Sequence, residues 1–465
     1  MQGRNAFFRI TPDANGLCVF AVKRGDIQDR IDVNNVLFNL AIIGTSARTV
    51  PLGELCFEEP CYGTSATAIE RIDDSQPKYI RITDFSDLGI EKNHKYMTVE
   101  SYNSKHMLRP NDILFARTGG TVGKTYFYDG KIGKAVFAGY CIRFRFNEDK
   151  VLPKFVYWYT KTDIYQKWVN GIQRPTGQPN INKEEYKSFE IVLPPIDIQQ
   201  KLVDFMDSSN ASRQNKIDQS ETLLSSMNEF IFDRLNLSHI GFGEHLCCAI
   251  RLSNIVEDQT FSAEYYHPER MAALRLLKLN TEISVHRLSD IVTFHRSLVS
   301  AENSTDYLGL AGVESQTGEL SGVQEEAAGQ AFFYKKDDIL YGRLRPYLNK
   351  VIVAEKDGIC STEFHVMRAM DTATVLPEYV AAILRSNLIL SQTKHMMTGN
   401  THPRISNDDV KNLYIPIPDV SIQMQIVDDL HKHRMEARKL KLEAEQEWQA
   451  AKERFEKELL GEYNV

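Results

Sequence analysis

Asn111-Asp112-Ile113-Leu114-Phe115-Ala116-Arg117 returns as Asp337-Asp338-Ile339-Leu340-Tyr341-Gly342-Arg343, and this recurrence decides how the chain is built. The offset is 226 residues, and Lys124 and Lys350 keep it. From Tyr140 to Phe364 the offset reads as 224, so the first copy carries two extra residues in between. That register continues through Leu152-Pro153-Lys154-Phe155-Val156 with Leu376-Pro377-Glu378-Tyr379-Val380, and through Pro179-Asn180-Ile181-Asn182 with Pro403-Arg404-Ile405-Ser406. It closes on Leu193-Pro194-Pro195-Ile196-Asp197-Ile198-Gln199 with Ile417-Pro418-Asp419-Val420-Ser421-Ile422-Gln423. A unit this large is no solenoid repeat, so the chain reads as two homologous domains.

Within each unit, β-branched and aromatic runs bounded by Gly, Asp and Asn predict strands at 79–83, 135–146 and 351–354. Helical patterns follow at 154–169 and 378–397, which makes each domain α+β. After Pro194-Pro195 an apolar stripe runs through Ile198, Leu202, Phe205, then past Ser208-Ser209-Asn210 to Leu224, Met227, Ile231 and Leu235. After Pro418 it runs through Ile422, Ile426, Leu430, Ala437, Leu440, Ala444, Trp448, Ala451, Phe455 and Leu459. Three-and-four spacing over such lengths predicts amphipathic helices of about 40 residues, near 60 Å each. Proline suits their starts and Gly461 the stop of the second. Narrow, Ala-rich stripes predict that the two helices pack on each other as an antiparallel coiled coil; the alternative is that each packs on its own domain.

The 465 residues suffice for two or more domains, and 42% hydrophobic with 25% charged residues is ordinary for a soluble protein. No run of about 18 apolar residues predicts a membrane span, and the opening Met1-Gln2-Gly3-Arg4-Asn5-Ala6-Phe7-Phe8 does not resemble a secretory signal. Cys18, Cys56, Cys61, Cys141, Cys247, Cys248 and Cys360 are odd in number, scattered and without a CxxC pair. Reduced core cysteines in a cytoplasmic protein are therefore expected, with neither disulfides nor zinc. The net charge of −7 hides a gradient: residues 101–150 hold nine Lys and Arg against four acids. A basic face on an acidic body can still hold phosphates.

Taken in order, these marks resemble the specificity subunit of type I restriction–modification systems, over about residues 30–460. They are Tyr79-Ile80-Arg81-Ile82-Thr83-Asp84, the strand motif with Thr118-Gly119, Gly177-Gln178-Pro179-Asn180-Ile181, Leu193 to Gln200, and Phe261-Ser262-Ala263-Glu264-Tyr265-Tyr266-His267-Pro268. The resemblance implies two target-recognition domains, 1–193 and 238–417, each followed by a long spacer helix, 194–237 and 418–465. Each domain would read one half of a split double-stranded DNA target, with the helices setting the spacing. Two methyltransferase subunits would dock on the helices and domain edges, and a nuclease-translocase can join them. The chain departs from the pattern at Arg345-Pro346-Tyr347, at Thr401-His402-Pro403-Arg404, and at 30–34, which lacks the paired tyrosines; residues 1–29 match nothing in it.

Thr118-Gly119-Gly120-Thr121-Val122-Gly123-Lys124-Thr125 nearly spells a nucleotide-binding loop, but Thr118 stands where the pattern needs Gly, and residues 344–351 have no such glycines. Its backbone suits phosphate oxygens better: Gly119 and Gly120 open the main chain, and Arg117 and Lys124 add charge. Arg343, Arg345, Tyr347 and Lys350 are the second-copy counterparts, and an Arg among them can pair bidentately with guanine. The alternative is a solvent-exposed hairpin turn. Arg174, Thr176, Gln178 and Asn180 form the richest polar stretch, answered by Thr401, His402 and Arg404; their amides and hydroxyls suit base edges, or else cap the helix that follows. Arg81 and Thr83 are further candidates.

No catalytic residue, cofactor or metal is expected. The only Pro-Pro, Leu193-Pro194-Pro195-Ile196, has apolar neighbours that cannot hold an extruded base, and no Gly-rich loop after a strand resembles a dinucleotide or S-adenosylmethionine cradle. His431 and His433 read as solvent-facing. The chain thus reads as a DNA-binding subunit without catalysis of its own. The alternatives are a related methyltransferase-based defence system without the type I nuclease, a self-contained DNA-modifying enzyme, and a protein-binding scaffold.

Overall fold

Strand Asp112–Ala116 is buried at every position, which follows from its place between two layers of apolar side chains. Ile113 and Phe115 point into the cluster formed with the helices, Leu114 and Ala116 into the one formed with the second sheet. The computed structural model describes residues 49–90, 94–172, 179–237, 249–258, 261–280, 282–302, 306–327, 329–399 and 401–461. These fall into two units, one of residues through Gln214 together with those from Ala444, the other Asn215–Glu443.

In the first unit, one antiparallel sheet orders Cys61–Tyr62, Cys141–Phe144, Asp112–Ala116 and Thr125–Tyr128. The second orders Ala68–Glu70, Met97–Val99, Lys78–Ile80 and Ala135–Phe137, the last pair parallel. The second unit repeats the first sheet as Val292–His295, Phe364–Ala369, Ile339–Gly342 and Val351–Val353. Its other sheet is wired differently: Tyr307–Leu308 lies at the edge, outside Gly358–Ser361, whereas its counterpart Lys78–Ile80 lies inside.

Strand pairing corrects the repeat register. Ala116 pairs with Cys141 and Gly342 with Phe364, so the offset here is 223, and Cys141 rather than Tyr140 matches Phe364. In this register the buried Asp112 receives both arms of Arg145, at 2.7 and 2.8 Å, and Asp338 receives Arg368 at the same distances. A buried carboxylate needs such a paired partner.

Several predicted elements are broken, each for a local reason. Residues 79–83 form a strand only to Ile80, because Asp84 accepts the backbone N–H and guanidinium of Arg81 and starts a 3-10 turn at Ile82–Asp84. Residues 135–146 split into Ala135–Phe137 and Cys141–Phe144. The helix at 154–169 is two, Pro153–Tyr159 and Asp163–Ile172, where Thr160 and Thr162 return hydroxyls to the carbonyls of Tyr157 and Tyr159. The helix at 378–397 likewise divides into Pro377–Arg385 and Asn387–Thr393 at Ser386, whose hydroxyl bonds Ile383 O at 2.6 Å.

The proline-marked turns begin helices Ile196–Ser225 and Val420–Leu460, about 45 and 62 Å long. The first is shorter than predicted, since it breaks at Ser226 before Met227–Arg234; the second ends before Gly461, whose φ of +70° suits a helix stop. Gln199 and Gln423 explain the Pro-to-Gln motif. Gln199 is 1% exposed, donates to Pro194 O and accepts Leu152 N–H; Gln423 does the same with Pro418 O and Leu376 N–H.

Within each unit the two helices run antiparallel. In the first, Arg454 lies over the Phe205 ring and Ser212 reaches Glu447. In the second, Lys216 pairs with Glu443, Ser220 donates to Ala437 O and Arg234 pairs with Asp429. The stripe is no bare helix–helix seam: Trp448 and Phe455 join the first unit's core against Trp158 and Phe155. His431 is exposed as expected, but His433 turns inward, edge-on to Phe230. Cys56, Cys61, Cys141 and Cys360 are free; Cys18, Cys247 and Cys248 lie outside the described residues.

Candidate nucleic-acid interface

The backbone ties together, in each unit, two loops far apart in sequence. Thr118 bridges Asn180, Gly119 N–H donates to Pro179 O at 3.2 Å, and Ile181 N–H to Arg117 O at 2.8 Å. The second unit repeats this at the equivalent atoms: Leu344 bridges Arg404, Arg345 N–H donates to Pro403 O at 2.7 Å, and Ile405 N–H to Arg343 O at 3.0 Å. The polar loop after strand Asp112–Ala116, or Ile339–Gly342 in the second unit, is thereby held beside the loop before helix Lys183–Ser188, or Asn407–Lys411. Asn182 caps its helix with the amide oxygen, as the amide-capping alternative has it, and Ser406 caps the equivalent helix with its hydroxyl.

In the first unit, the Arg117 guanidinium lies 4.9 Å over the Tyr62 ring, with Nε 3.4 Å from Asn180 Oδ1. Gly119 has φ +74°, a left-handed conformation that suits glycine, and Gly120 is exposed. Thr118 donates its hydroxyl to Pro179 O. Gly123 is structural, since a Cβ there would meet Val169 at 2.6 Å. The loop returns to a strand through the 3-10 turn Gly119–Thr121. Lys124 is paired with Asp87 at 2.8 Å, and that contact holds the Asp87 carboxyl below the usual range. Arg81 and Thr83 both bond Asp84. Arg174, Thr176 and Gln178 lie outside the described residues.

In the second unit, Arg345, Tyr347, Thr401 and His402 are exposed. Arg345 occupies the left-handed place of Gly119, φ +49°, where a side chain is strained. Arg343 lies beside His365, which burial pushes down to about 4 and whose Nδ1 is 2.6 Å from Asn407 Oδ1. Lys350 donates to Leu310 O. Arg404 is engaged by both oxygens of Glu363.

The basic window is smaller than it reads. Arg143 and Arg145 meet Glu58 and Asp112, and Lys131 meets Asp129. Sequence reasoning missed Tyr62, Tyr140 and Arg296. Tyr140 is 61% exposed on the turn whose carbonyl accepts Arg117 N–H, and strand register puts the exposed Arg296 where Tyr62 stands in the first unit. It also missed His267, Glu269 and His395, which converge in the second unit. The two imidazoles stack face to face at 3.4 Å, so their in-plane lone pairs cannot meet at one ion, and Glu269 binds His395 and Lys394 directly. This cluster reads as a packing contact.

A duplicated α+β unit presenting two tethered polar loops defines a class of modular recognition proteins. The profile of the type I restriction modification DNA specificity domain matches residues 49–221 and again 282–446, and the chain belongs to that family. It is 23% identical over 285 residues to the type I restriction enzyme EcoDI specificity subunit of Escherichia coli, covering 60% of this chain and 62% of that one. It is 31% identical over 115 residues to the HindI specificity subunit of Haemophilus influenzae, covering 24% and 25%. The chain thus spans about 62% and 25% of the length of these relatives. A chain solved in a study of complex assembly and conformational transition of the type I system superposes with a TM-score of 0.51 at 15% identity, over 89% of this chain and 96% of that one, and supports the fold. Among the described residues no helix is long and apolar enough to cross a membrane.

Proposed function

We propose that this chain is the DNA-reading subunit of a type I methyltransferase complex, with domains 1–193 and 238–417 reading the two halves of a split, asymmetric target. The observation that carries the reading is the twofold occurrence of the loop tether with different side chains on it: Arg117, Gly119, Gly120 and Asn180 in one unit, Arg343, Arg345, Tyr347, His402 and Arg404 in the other. One frame with two chemistries is what reading two different half-sites requires. Family membership supports double-stranded DNA as the ligand and methyltransferase and restriction subunits as partners; two methyltransferase copies would match the two units. Segments 194–237 and 418–465 then act as the spacer.

The chain itself contributes no catalytic site in this reading and directs the methyl transfer of its partners. Methylome sequencing of a host expressing this chain with its neighbouring methyltransferase tests it. The expected result is adenine or cytosine methylation confined to one bipartite motif. Methylation or cleavage by the purified chain alone, given S-adenosylmethionine and magnesium, would overturn it.

A further inference from the structure

The two units differ in the charges that surround a buried basic side chain. In the first, Lys161 Nζ donates to the carbonyl of Thr125 at 3.1 Å, and the Asp87 carboxylate lies in the field of Lys124, Lys161 and Arg213. The second unit repeats the cation as Arg385, which donates to the carbonyl of Val351, the counterpart of Thr125, at 2.8 Å. The acid is not repeated. Tyr79 matches Tyr307, and the 3-10 turn Ile82–Asp84 matches Leu310–Gly312, both at an offset of 228, which puts Ser315 where Asp87 stands.

Ser315, Arg385 and Arg434 line a cavity of about 430 Å³ within the second unit. Burial, and then the Arg434 charge, hold the Arg385 guanidinium well below its ordinary range. Arg434 Nε is buried and finds no hydrogen-bond partner among the described residues. Glu319 bears on both charges and Glu221 lines the cavity, but among the described residues neither forms an ion pair with Arg385 or Arg434. Two guanidiniums lining one partly buried cavity call for an anion. Ile231 and Leu430 add apolar surface to the lining. A volume of this size suits a small molecule.

We infer that this cavity binds a small organic anion, its phosphate or carboxylate held by Arg385 and Arg434 and its apolar body against Ile231 and Leu430. The anion supplies to the second unit what Asp87 supplies to the first. The test is calorimetry and thermal unfolding of the full chain with three probes: inorganic phosphate, citrate and adenosine monophosphate. At least one organic probe is expected to bind more tightly than phosphate and to raise the melting temperature. Arg434→Gln should weaken it about tenfold or more, the loss of one charge-assisted contact. Ser315→Asp, which copies the first unit, should raise the melting temperature without anion and cancel the response to it. Binding by none of the probes, or an undiminished response in both variants with folding intact by circular dichroism, overturns the inference. So does displacement of the bound probe by short duplex DNA, which would give the arginines to the DNA backbone.

Discussion

Arg404 lies in a two-pronged ion pair with Glu363, Nε 3.0 Å from one oxygen and an outer nitrogen 2.8 Å from the other. The same fork is what a backbone phosphate would need, so Glu363 competes with DNA for it. Glu363→Gln should release the guanidinium and steepen the dependence of DNA binding on salt by about one charge. Fluorescence anisotropy over a salt series measures it. An unchanged slope would place Arg404 outside the interface.

Arg345 should trade stability for binding. Its φ of +49° is unfavourable for any residue with a Cβ, by about 1 kcal/mol. Arg345→Gly therefore raises the stability of the second unit by about that amount while weakening duplex binding. Denaturant unfolding followed by hydrogen exchange in 339–353 reads the first effect, and anisotropy the second. A variant that is no more stable would show that the strain is relieved elsewhere.

Arg117 and Lys124 should behave differently despite their similar place in the loop. Arg117 rests on Tyr62 near the surface, whereas Lys124 is tied to Asp87. Arg117→Ala is expected to lower the salt slope by roughly one. Lys124→Ala should leave the slope nearly intact and lower stability instead. Equal losses of slope would show that the Asp87 pair opens on DNA.

Lys161 makes the first unit pH-sensitive. Burial lowers it to about 7 from an ordinary 10.5. Between those values the unfolded chain holds the extra proton, so stability rises as pH increases through that window and is at its lower plateau below about 7. Trp158, Trp168 and Trp448 are the chain's three tryptophans and all lie in the first unit, so their fluorescence follows its urea unfolding alone. The unfolding midpoint should climb from about pH 7 to about pH 9, and Lys161→Met should flatten that climb. A wild-type midpoint that stays level would contradict it.

If the long helices act as the ruler, inserting four residues, about one helical turn, at matched points in 196–225 and 420–460 should lengthen the gap in the methylated motif and leave both half-sites unchanged. Methylome sequencing compares the two proteins. A split motif whose gap ignores the insertion would remove the helices from that role.

The repeat, the two α+β units and both long helices were legible because the residues that build them recur in order. Asp112 and Asp338, or Gln199 and Gln423, are buried polar groups whose partners also recur. What escaped was non-local. Nothing in Thr160-Lys161-Thr162 reads as a helix break until its hydroxyls find their own carbonyls. Tyr62 and Arg296 sit in or just after short strands of little pattern, and only pairing with 141–144 and 364–369 puts them beside the loops. The candidate arginines could be named from sequence, but not their engagement, because Glu363 is 41 residues from Arg404.

The part of the tether common to both units consists of main-chain atoms: Ile181 to Arg117, and Ile405 to Arg343. Peptide groups are common to all residues, so the side chains the loops carry can change without loosening their attachment. If the loops read DNA as proposed, mutation can explore new target sequences at little risk to folding, and the two units can drift apart in preference while remaining one architecture. Such a frame lends itself to exchange of its loops, for instance by an engineer grafting 118–122 together with the segment that ends at Asn180.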